Sequence, residues 1–403
     1  MGSDPECNNE LKMGEGLVFT LEVQKIFDIF GDKIRLVGGC VRDMLLEREL
    51  HDYDFACVYE PDKIQEILAQ YGVKSIPTGK EFGTITAVVN GKNFEITTLR
   101  DDVEGDGRHA RVEFNGDFEM DAKRRDFSVN ALYLDKDGEI YDYFSGMDDL
   151  KARKIRFIGD AGERIKEDYL RVLRFFRFSL GYAKSLDEVG IDAIEENREG
   201  LRKLSRERVR QEYFKILGAG DLDYLVEVLG VVRQRGVDQF LFTQKQDVDS
   251  LKNLFDLSKE FVFSASLNLR IACLFLGEGL DIDVFYKEIC ATRTEKKYFM
   301  FLLNNKIEKF DDVKVALVNY EKSMVVDFLA FSHIFALIKK EEFKSFLKFV
   351  EGTTVPNFPV SSQDILDLGF KGAKISKSLA LLKVKWALSD YELSKENLLD
   401  IVN

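Results

Sequence analysis

Only 5 prolines, 5 cysteines, 3 histidines and 1 tryptophan stand among 403 residues, and each shortage closes off a class of protein. With so few prolines, helices can run long without a breaker. The cysteines (Cys7, Cys40, Cys57, Cys273, Cys290) are scattered, with no C-x-x-C pair and no histidine at zinc-ligand spacing. That excludes a zinc module or a disulfide scaffold and reads as reduced thiols in a cytoplasmic protein. The dipeptide His51-Asp52 suggests a His/Asp metal phosphohydrolase, but only His109 and His333 remain to complete its ligand set. No apolar run approaches the roughly 18–20 residues a membrane helix needs, so no membrane partner is expected. Met1 to Glu10 is polar and acidic, without a basic-then-apolar signal pattern. Net positive charge is missing too. A balance of −13 speaks against a generic polyanion binder. Yet between Lys151 and Lys215 basic residues outnumber acidic ones, which leaves room for a local positive face.

What is present is length for two to four domains and two contrasting halves. Strand patterns occur at Ile34–Val37, Tyr53–Val58, Thr84–Val89, Phe94–Leu99, Ala131–Leu134 and Ile140–Phe144, with Asn90-Gly91 as a hairpin turn. Helical stretches intervene at Val41–Glu47 and Asp62–Tyr71. From about Ala161 strand patterns stop. Amphipathic helices follow at 161–180, 187–199, 205–218, 222–233 and onward, with a break around Gly352–Pro359. The fold class is α+β: a small mixed domain followed by an all-helical region.

Three segments carry chemistry. In Leu36-Val-Gly-Gly-Cys-Val-Arg-Asp43 a strand runs into Gly38-Gly39 before a helix, a form that lets backbone N–H groups approach a phosphate while Arg42 neutralises it. Asp52 and Asp54 alternate on a strand and so share a face. Two such carboxylates suit Mg²⁺, and Glu95 is a candidate third. In Arg124-Arg-Asp-Phe-Ser-Val-Asn-Ala131, Arg125 suits a triphosphate, and Asp126 and Asn130 suit ribose hydroxyls. In Glu167-Asp-Tyr-Leu-Arg-Val-Leu-Arg-Phe-Phe-Arg-Phe178, Asp168, Arg171, Arg174 and Arg177 recur every third residue. On one continuous helix, Asp168 and Arg171 lie side by side and Arg177 falls almost opposite Asp168. Cytosine and adenine each offer an amino donor beside a ring-nitrogen acceptor, whereas uracil and guanine offer a carbonyl beside an N–H. A carboxylate that only accepts, next to a guanidinium that only donates, matches the first pair and rejects the second.

These segments occur in order with Asp142-Tyr-Phe-Ser-Gly-Met-Asp-Asp149-Leu and Ser205-Arg-Glu-Arg-Val-Arg-Gln-Glu212. Together they resemble the class II tRNA nucleotidyltransferases (CCA-adding enzymes), which share their head with bacterial poly(A) polymerases. The likeness is dense over residues 30–220 and weak, through Pro359–Gly369, to the end. It implies a head (1–160), a neck (161–218) that recognises the base, a body (219–350) and a tail (351–403). It also implies Mg²⁺ on Asp52 and Asp54, with Gly38, Gly39, Arg42 and Arg125 on the triphosphate. Asp168, Arg171, Arg174 and Arg177 would line the base pocket, Arg177 by bracing or reaching a phosphate rather than touching the base. CTP and ATP would be substrates and the tRNA acceptor arm the partner, without an obligate protein partner. Lys371, Lys374, Lys377, Lys383 and Lys385 are candidate RNA contacts. A poly(A) polymerase, a CC-only or A-only relative, and a catalytically silent RNA-binding protein are the alternatives. The charged, glycine-containing stretch Arg100–Phe114 reads as a mobile loop that governs the switch from C to A.

Overall fold

A computed structural model of the chain describes residues 19–50, 52–104, 111–114, 116–277 and 279–402. The chain divides into two compact units, residues 1–219 with 231–241, and residues 220–230 with 242–403. The two halves expected from patterning are present: a mixed sheet with its helices, then helices alone. No described helix is long and apolar enough to cross a membrane.

The first unit is built on a seven-stranded sheet. In chain order its strands are β1 (Ile34–Val37), β2 (Asp54–Cys57), β3 (Lys74–Gly79), β4 (Thr84–Val89), β5 (Lys92–Thr98), β8 (Leu132–Leu134) and β9 (Ile140–Asp142). Between β5 and β8, β6 (Arg100–Glu104) and β7 (Arg111–Phe114) form a separate antiparallel pair. The seven run in the order β3-β4-β5-β2-β1-β8-β9, antiparallel except for β2 against β5. Asn90 and Gly91 both take positive φ, 50° and 79°, which is the turn that Asn-Gly favours between β4 and β5. β3 was not legible in the sequence. It is a mostly exposed edge strand containing Pro77 and lacks the buried face that makes a strand pattern visible. The reading of Arg100–Phe114 as a loop is corrected at both ends, where β6 pairs with β7; residues 105–110 lie outside the described residues.

Helices of this unit are α1 (Leu21–Phe30), α2 (Gly39–Leu45), α3 (Pro61–Gln70), α4 (Phe118–Lys123), α5 (Gly146–Ala152), α6 (Ala161–Glu167), α7 (Leu170–Tyr182), α8 (Glu188–Asn197) and α9 (Arg206–Leu217). The stretch read as one helix over 161–180 is two. Asp160 caps α6 by accepting from the Glu163 N–H at 2.8 Å, and the chain then extends at Asp168, with φ −151° and ψ 105°. Phe127, Phe157 and Phe175 stack where α7 meets the sheet domain, at ring separations of 5.0 to 6.2 Å. Both Phe127 and Phe175 are fully buried, and burial of such rings contributes about 1.5–3 kcal/mol each.

The second unit is helical throughout its described residues. Buried Asp327, on the helix Lys322–Ile334, accepts from Tyr298 Oη at 2.7 Å and Ser266 Oγ at 2.5 Å, tying three helices together. Burial pushes its carboxyl above the usual range. A smaller core around Trp386, with Phe358 and Tyr391 edge-on at 5.4 and 5.2 Å, holds the last three helices.

The segment Asp142–Asp149 has a structural explanation. Asp142 accepts the N–H groups of Gly146 and Met147, both at 2.8 Å, and so caps α5. Asp149 receives Ser128 Oγ at 2.5 Å and Arg156 Nε at 2.6 Å, which fixes the short 3-10 turn Ser128–Asn130. A Cβ on Gly146 would lie 2.3 Å from the Ser128 carbonyl oxygen, backbone against backbone. Gly146→Ala is therefore expected to destabilise the protein by about 1–3 kcal/mol, read as a lower midpoint in chemical denaturation. An unchanged midpoint would refute the close approach.

Candidate active site

Two loops and two helices converge on a cleft of about 590 Å³. Eight arginines line it, namely Arg42, Arg100, Arg124, Arg125, Arg171, Arg174, Arg177 and Arg208, against three carboxylates, Asp54, Asp126 and Asp168. The excess of positive charge on a chain of net charge −13 is the segregated face that overall composition hides, and it suits a polyanion such as a triphosphate.

One wall is the turn between β1 and α2. Gly38 takes φ +77°, and a Cβ there would come 3.3 Å from Arg125 Nη1, so both backbone shape and space call for glycine. Gly39 begins α2 and also lines the cleft. Arg42 is buried beneath it. Its Nε and Nη2 donate to Asp43, Nη2 also donates to Tyr182 Oη at 2.7 Å, and Nη1 donates to Asn130 Oδ1 at 2.5 Å. Its ring neighbour is Tyr182, 4.0 Å from the guanidinium. Four of five N–H groups are committed, so Arg42 is a braced cation with a single N–H to offer.

The carboxylates meet where β2 and β5 run parallel, with Asp54 directly opposite Glu95. Asp52 precedes the strand in extended chain and is exposed. Burial of its carboxyl group raises the pKa of Asp54, Glu95 and Asp52 raise it further, and Arg125 partly opposes them. Like charges held this close call for a cation. Among the described residues no group of three or more His, Cys, Asp or Glu forms a metal cage. The arrangement thus fits a divalent cation that takes carboxylates from the protein and completes its shell with phosphate oxygens and water.

The opposite wall is the turn after α4. Arg125 donates through Nε and Nη2 to Asp121 Oδ2, at 3.3 and 3.1 Å, leaving Nη1 toward Gly38. Asp126, expected to meet a ribose hydroxyl, lines the cleft but is engaged within the protein. Its Oδ1 accepts from the Phe127 N–H and Asn130 Nδ2, and its Oδ2 accepts both Nε and Nη2 of Arg174 at 2.6 Å. All four lone-pair positions are filled. Burial opposes its ionisation most strongly of any one cause, but Arg174 together with the hydrogen bonds from Asn130 and the Phe127 N–H outweighs it and holds the carboxyl below its ordinary value. Asn130 retains one N–H.

Asp168 and Arg171 both reach the cleft, though not as neighbours on one helix. Asp168 stands in the break between α6 and α7, so an angular count started from it does not apply. Its Oδ1 accepts the Leu170 N–H at 3.1 Å and its Oδ2 accepts Arg208 Nη2 at 2.7 Å. Arg171 Nη1 donates to Glu167 and to the Arg164 carbonyl, at 2.5 and 2.9 Å, and its Nη2 donates to the Arg124 carbonyl at 3.2 Å. Each keeps capacity: two lone pairs on Asp168, two N–H groups on Arg171. Arg177 donates to Glu212 on α9 at 2.5 Å while also lining the cleft. Residue-by-residue reading missed Asp121, Arg208 and Tyr182. Asp121 precedes Arg124 and Arg125 by three and four residues, a helical ion-pair spacing that was available; Arg208 sits in the quoted Ser205–Glu212 segment. Tyr182 gives no local signal, because its partner Arg42 is 140 residues away.

Lys371, Lys374, Lys377 and Lys385 lie in the second unit, exposed on and just before the helix Ala373–Leu388, while half-buried Lys383 reaches Asn319 Oδ1 at 3.4 Å.

Comparison with known proteins follows from this geometry. Residues 34–156 match the family model of the poly A polymerase head domain. The CCA tRNA nucleotidyltransferase 1, mitochondrial, of Danio rerio is 36% identical, covering 96% of this chain and 90% of that protein; its Homo sapiens counterpart is 34% identical over the same shares. A crystal structure of the Bacillus stearothermophilus CCA-adding enzyme in complex with CTP superposes with a TM-score of 0.70 at 23% identity, covering 94% of this chain and 97% of that one. The mitochondrial names overturn the cytoplasmic location expected from cysteine usage. Scattered thiols distinguish reducing from oxidising surroundings, not one reducing compartment from another.

A raised Asp54 pKa has a sign that can be measured. Its folded value lies above the unfolded one, so at neutral pH the ionised group weakens the metal-free fold, and this penalty disappears as pH falls through the folded value. Asp54→Asn should raise the Tm of the metal-free protein at pH 7. Added divalent cation should stabilise the wild type but not the variant. A lower Tm for Asp54→Asn would contradict the crowded-carboxylate reading.

Proposed function

The chain belongs to the CCA tRNA nucleotidyltransferase family, and on that premise we infer that it extends the 3′ end of tRNA with CCA from CTP and ATP, using no nucleic-acid template. The reaction is attack of the terminal hydroxyl on the α-phosphorus, with release of pyrophosphate. The observation that carries this reading is the cleft itself, where Asp54, crowded by the charges of Glu95 and Asp52, an arginine-rich wall and the Asp168/Arg171 couple face one space.

In this reading Asp52 and Asp54, backed by Glu95, hold Mg²⁺. Bound there, Mg²⁺ supplies neutralising charge to the phosphates and acidity to the attacking hydroxyl. Gly38 and Gly39 let the triphosphate approach the start of α2. Arg125 meets its charge with the N–H groups left free, and Arg42 contributes its remaining one. Asn130 offers its spare N–H to the ribose. Arg174 and Arg177 work from behind, holding Asp126 and α9 in place. The two free acceptor positions of Asp168 and the two free donors of Arg171 match the edges of cytosine and adenine. Positioning and electrostatics then account for catalysis, without a covalent protein intermediate. Residues 1–160 carry the chemistry, 161–218 the base reading, and 219–350 and 351–403 the grip on tRNA. Lys371, Lys374 and Lys377 are candidate phosphate contacts. The likeness to a CCA-adding relative over 96% of the chain favours this reading over a poly(A) polymerase, whose head-domain model matches residues 34–156.

The test uses tRNA transcripts ending before CC, before C and before A, each with labelled CTP or ATP. CTP should extend the first two and ATP the third, with a stop after CCA; a growing A tail would identify a poly(A) polymerase instead. Asp168→Ala or Arg171→Ala should slow the reaction and raise incorporation of UTP and GTP relative to CTP and ATP, since each matched contact accounts for about 1–3 kcal/mol. Slowing with selection intact would remove base reading from this pair. Replacing residues 101–111 with a Gly/Ser linker of equal length should leave CC addition and abolish the terminal A. Unchanged CCA ends would show that the segment is a bystander.

A further inference from the structure

A buried acid outside every role given so far controls how the arginine wall is presented. Asp121, on α4, is 1% exposed and takes no part in lining the cleft. Its Oδ1 accepts from Arg124 Nε and Nη2, at 2.9 and 2.6 Å. Its Oδ2 accepts from Arg125 Nε and Nη2 and from Tyr133 Oη, at 3.3, 3.1 and 2.7 Å. One carboxylate thus gathers two consecutive guanidinium groups and one phenol from the sheet.

The turn so fixed does two jobs. The side chain of Arg125, held along its Nε edge by Asp121 and donating weakly through Nη1 to the Asn130 carbonyl at 3.5 Å, keeps its Nη1 end directed to Gly38, where the backbone narrows the cleft. The main chain of the same turn presents two carbonyl groups toward the neck. That of Arg124 receives Arg171 Nη2 at 3.2 Å, and that of Arg125 receives Arg164 Nη2 at 2.8 Å. Arg171 carries the donor half of the base-reading pair. One buried acid therefore stands behind both the triphosphate end and the base end of the cleft.

We propose that Asp121 is a positioning residue for nucleotide selection, fixing the Arg124–Arg125 turn so that Arg125 meets the triphosphate and Arg171 is held at the base. The proposal rests on the reading of this cleft as the nucleotide site. Burial pushes the carboxyl up, but Arg125, Arg124 and the Tyr133 hydrogen bond together outweigh it and bring it down to about 2, so the group is ionised at neutral pH. Its location supports the assignment too. Phe118, at the start of α4, packs edge-on against Tyr133 at 5.6 Å and lies 4.0 Å from the guanidinium of buried Arg35. These aromatic and cation–π contacts hold α4 to the sheet alongside the Asp121–Tyr133 hydrogen bond, so attachment of the helix does not rest on Asp121 alone.

Asp121→Asn keeps the size and loses the charge. The KM for both CTP and ATP should rise roughly ten- to hundredfold, the range expected for lost hydrogen bonds to charged groups, and discrimination against UTP and GTP should fall as Arg171 loses its seat. Tyr133→Phe removes one hydrogen bond from the same carboxylate while leaving both arginines on it; it should lower Tm and leave KM and selectivity near wild type. If Asp121→Asn cannot be obtained folded, Asp121→Glu keeps the charge but moves it by one methylene, and a raised KM at near-normal Tm would carry the same conclusion. Arg125→Ala separates the two levels of the argument. If Arg125→Ala raises KM while a folded Asp121 variant matches wild type in KM and selectivity, the Asp121 role is overturned and the nucleotide site stands. If Arg125→Ala also leaves KM unchanged, the site reading fails and the proposal with it.

Discussion

Crowding eight guanidinium groups around one cleft is the constraint on which the architecture depends. Each brings a positive charge into a space walled by protein, and none can be neutralised by losing a proton. The structure answers with a partner for each cation that can be traced: Asp43 under Arg42, Asp121 under Arg124 and Arg125, Asp126 under Arg174, Glu167 beside Arg171, Glu212 beside Arg177, Asp168 beside Arg208. These pairs do more than offset charge. They join α4, the turn after it, α6, α7 and α9 into one connected frame, and what each arginine has left over after pairing is what it can offer a ligand. Counting uncommitted N–H groups and lone pairs therefore separates residues that meet substrate from residues that hold others in place.

That count also explains which parts of the site were legible in the sequence. Asp52, Asp54, Gly38 and Gly39 are readable because their roles come from local chain geometry: alternation along a strand and a tight turn before a helix. Glu95 is placed by β-pairing, and its register opposite Asp54 needed the parallel β2–β5 contact, which no local pattern encodes. Asp126 shows the opposite case. Its chemistry was read correctly as an acceptor, but its acceptor positions are taken by Arg174 and Asn130, and only the folded chain reveals such competition.

The fold divides the same way. The Asn90-Gly91 turn and the buried strands β1, β4 and β5 follow from residue type and alternation. The exposed edge strand β3 has no buried face to mark it, and the β6–β7 pair is too rich in charge to read as strand. The helix break at Asp168 was hidden because amphipathic periodicity continues on both sides, while a single extended residue with no proline or glycine beside it leaves no signature. It matters for function, since it turns the Asp168 carboxylate out of α7 and toward Arg208.

Several arginine contacts around the cleft run not to side chains but to main-chain oxygens, among them Arg164 to the carbonyl of Arg125, and Arg171 to those of Arg124 and Arg164. A carbonyl is common to all twenty amino acids and cannot be deleted by a change of codon. The seat of Arg171, which we propose reads the base, is thus insulated from drift at the positions that form it, so long as the turn keeps its shape. Heritable change in nucleotide preference must then enter through whatever sets that shape, or through Arg171 itself, which narrows the routes by which a lineage could come to add a different end.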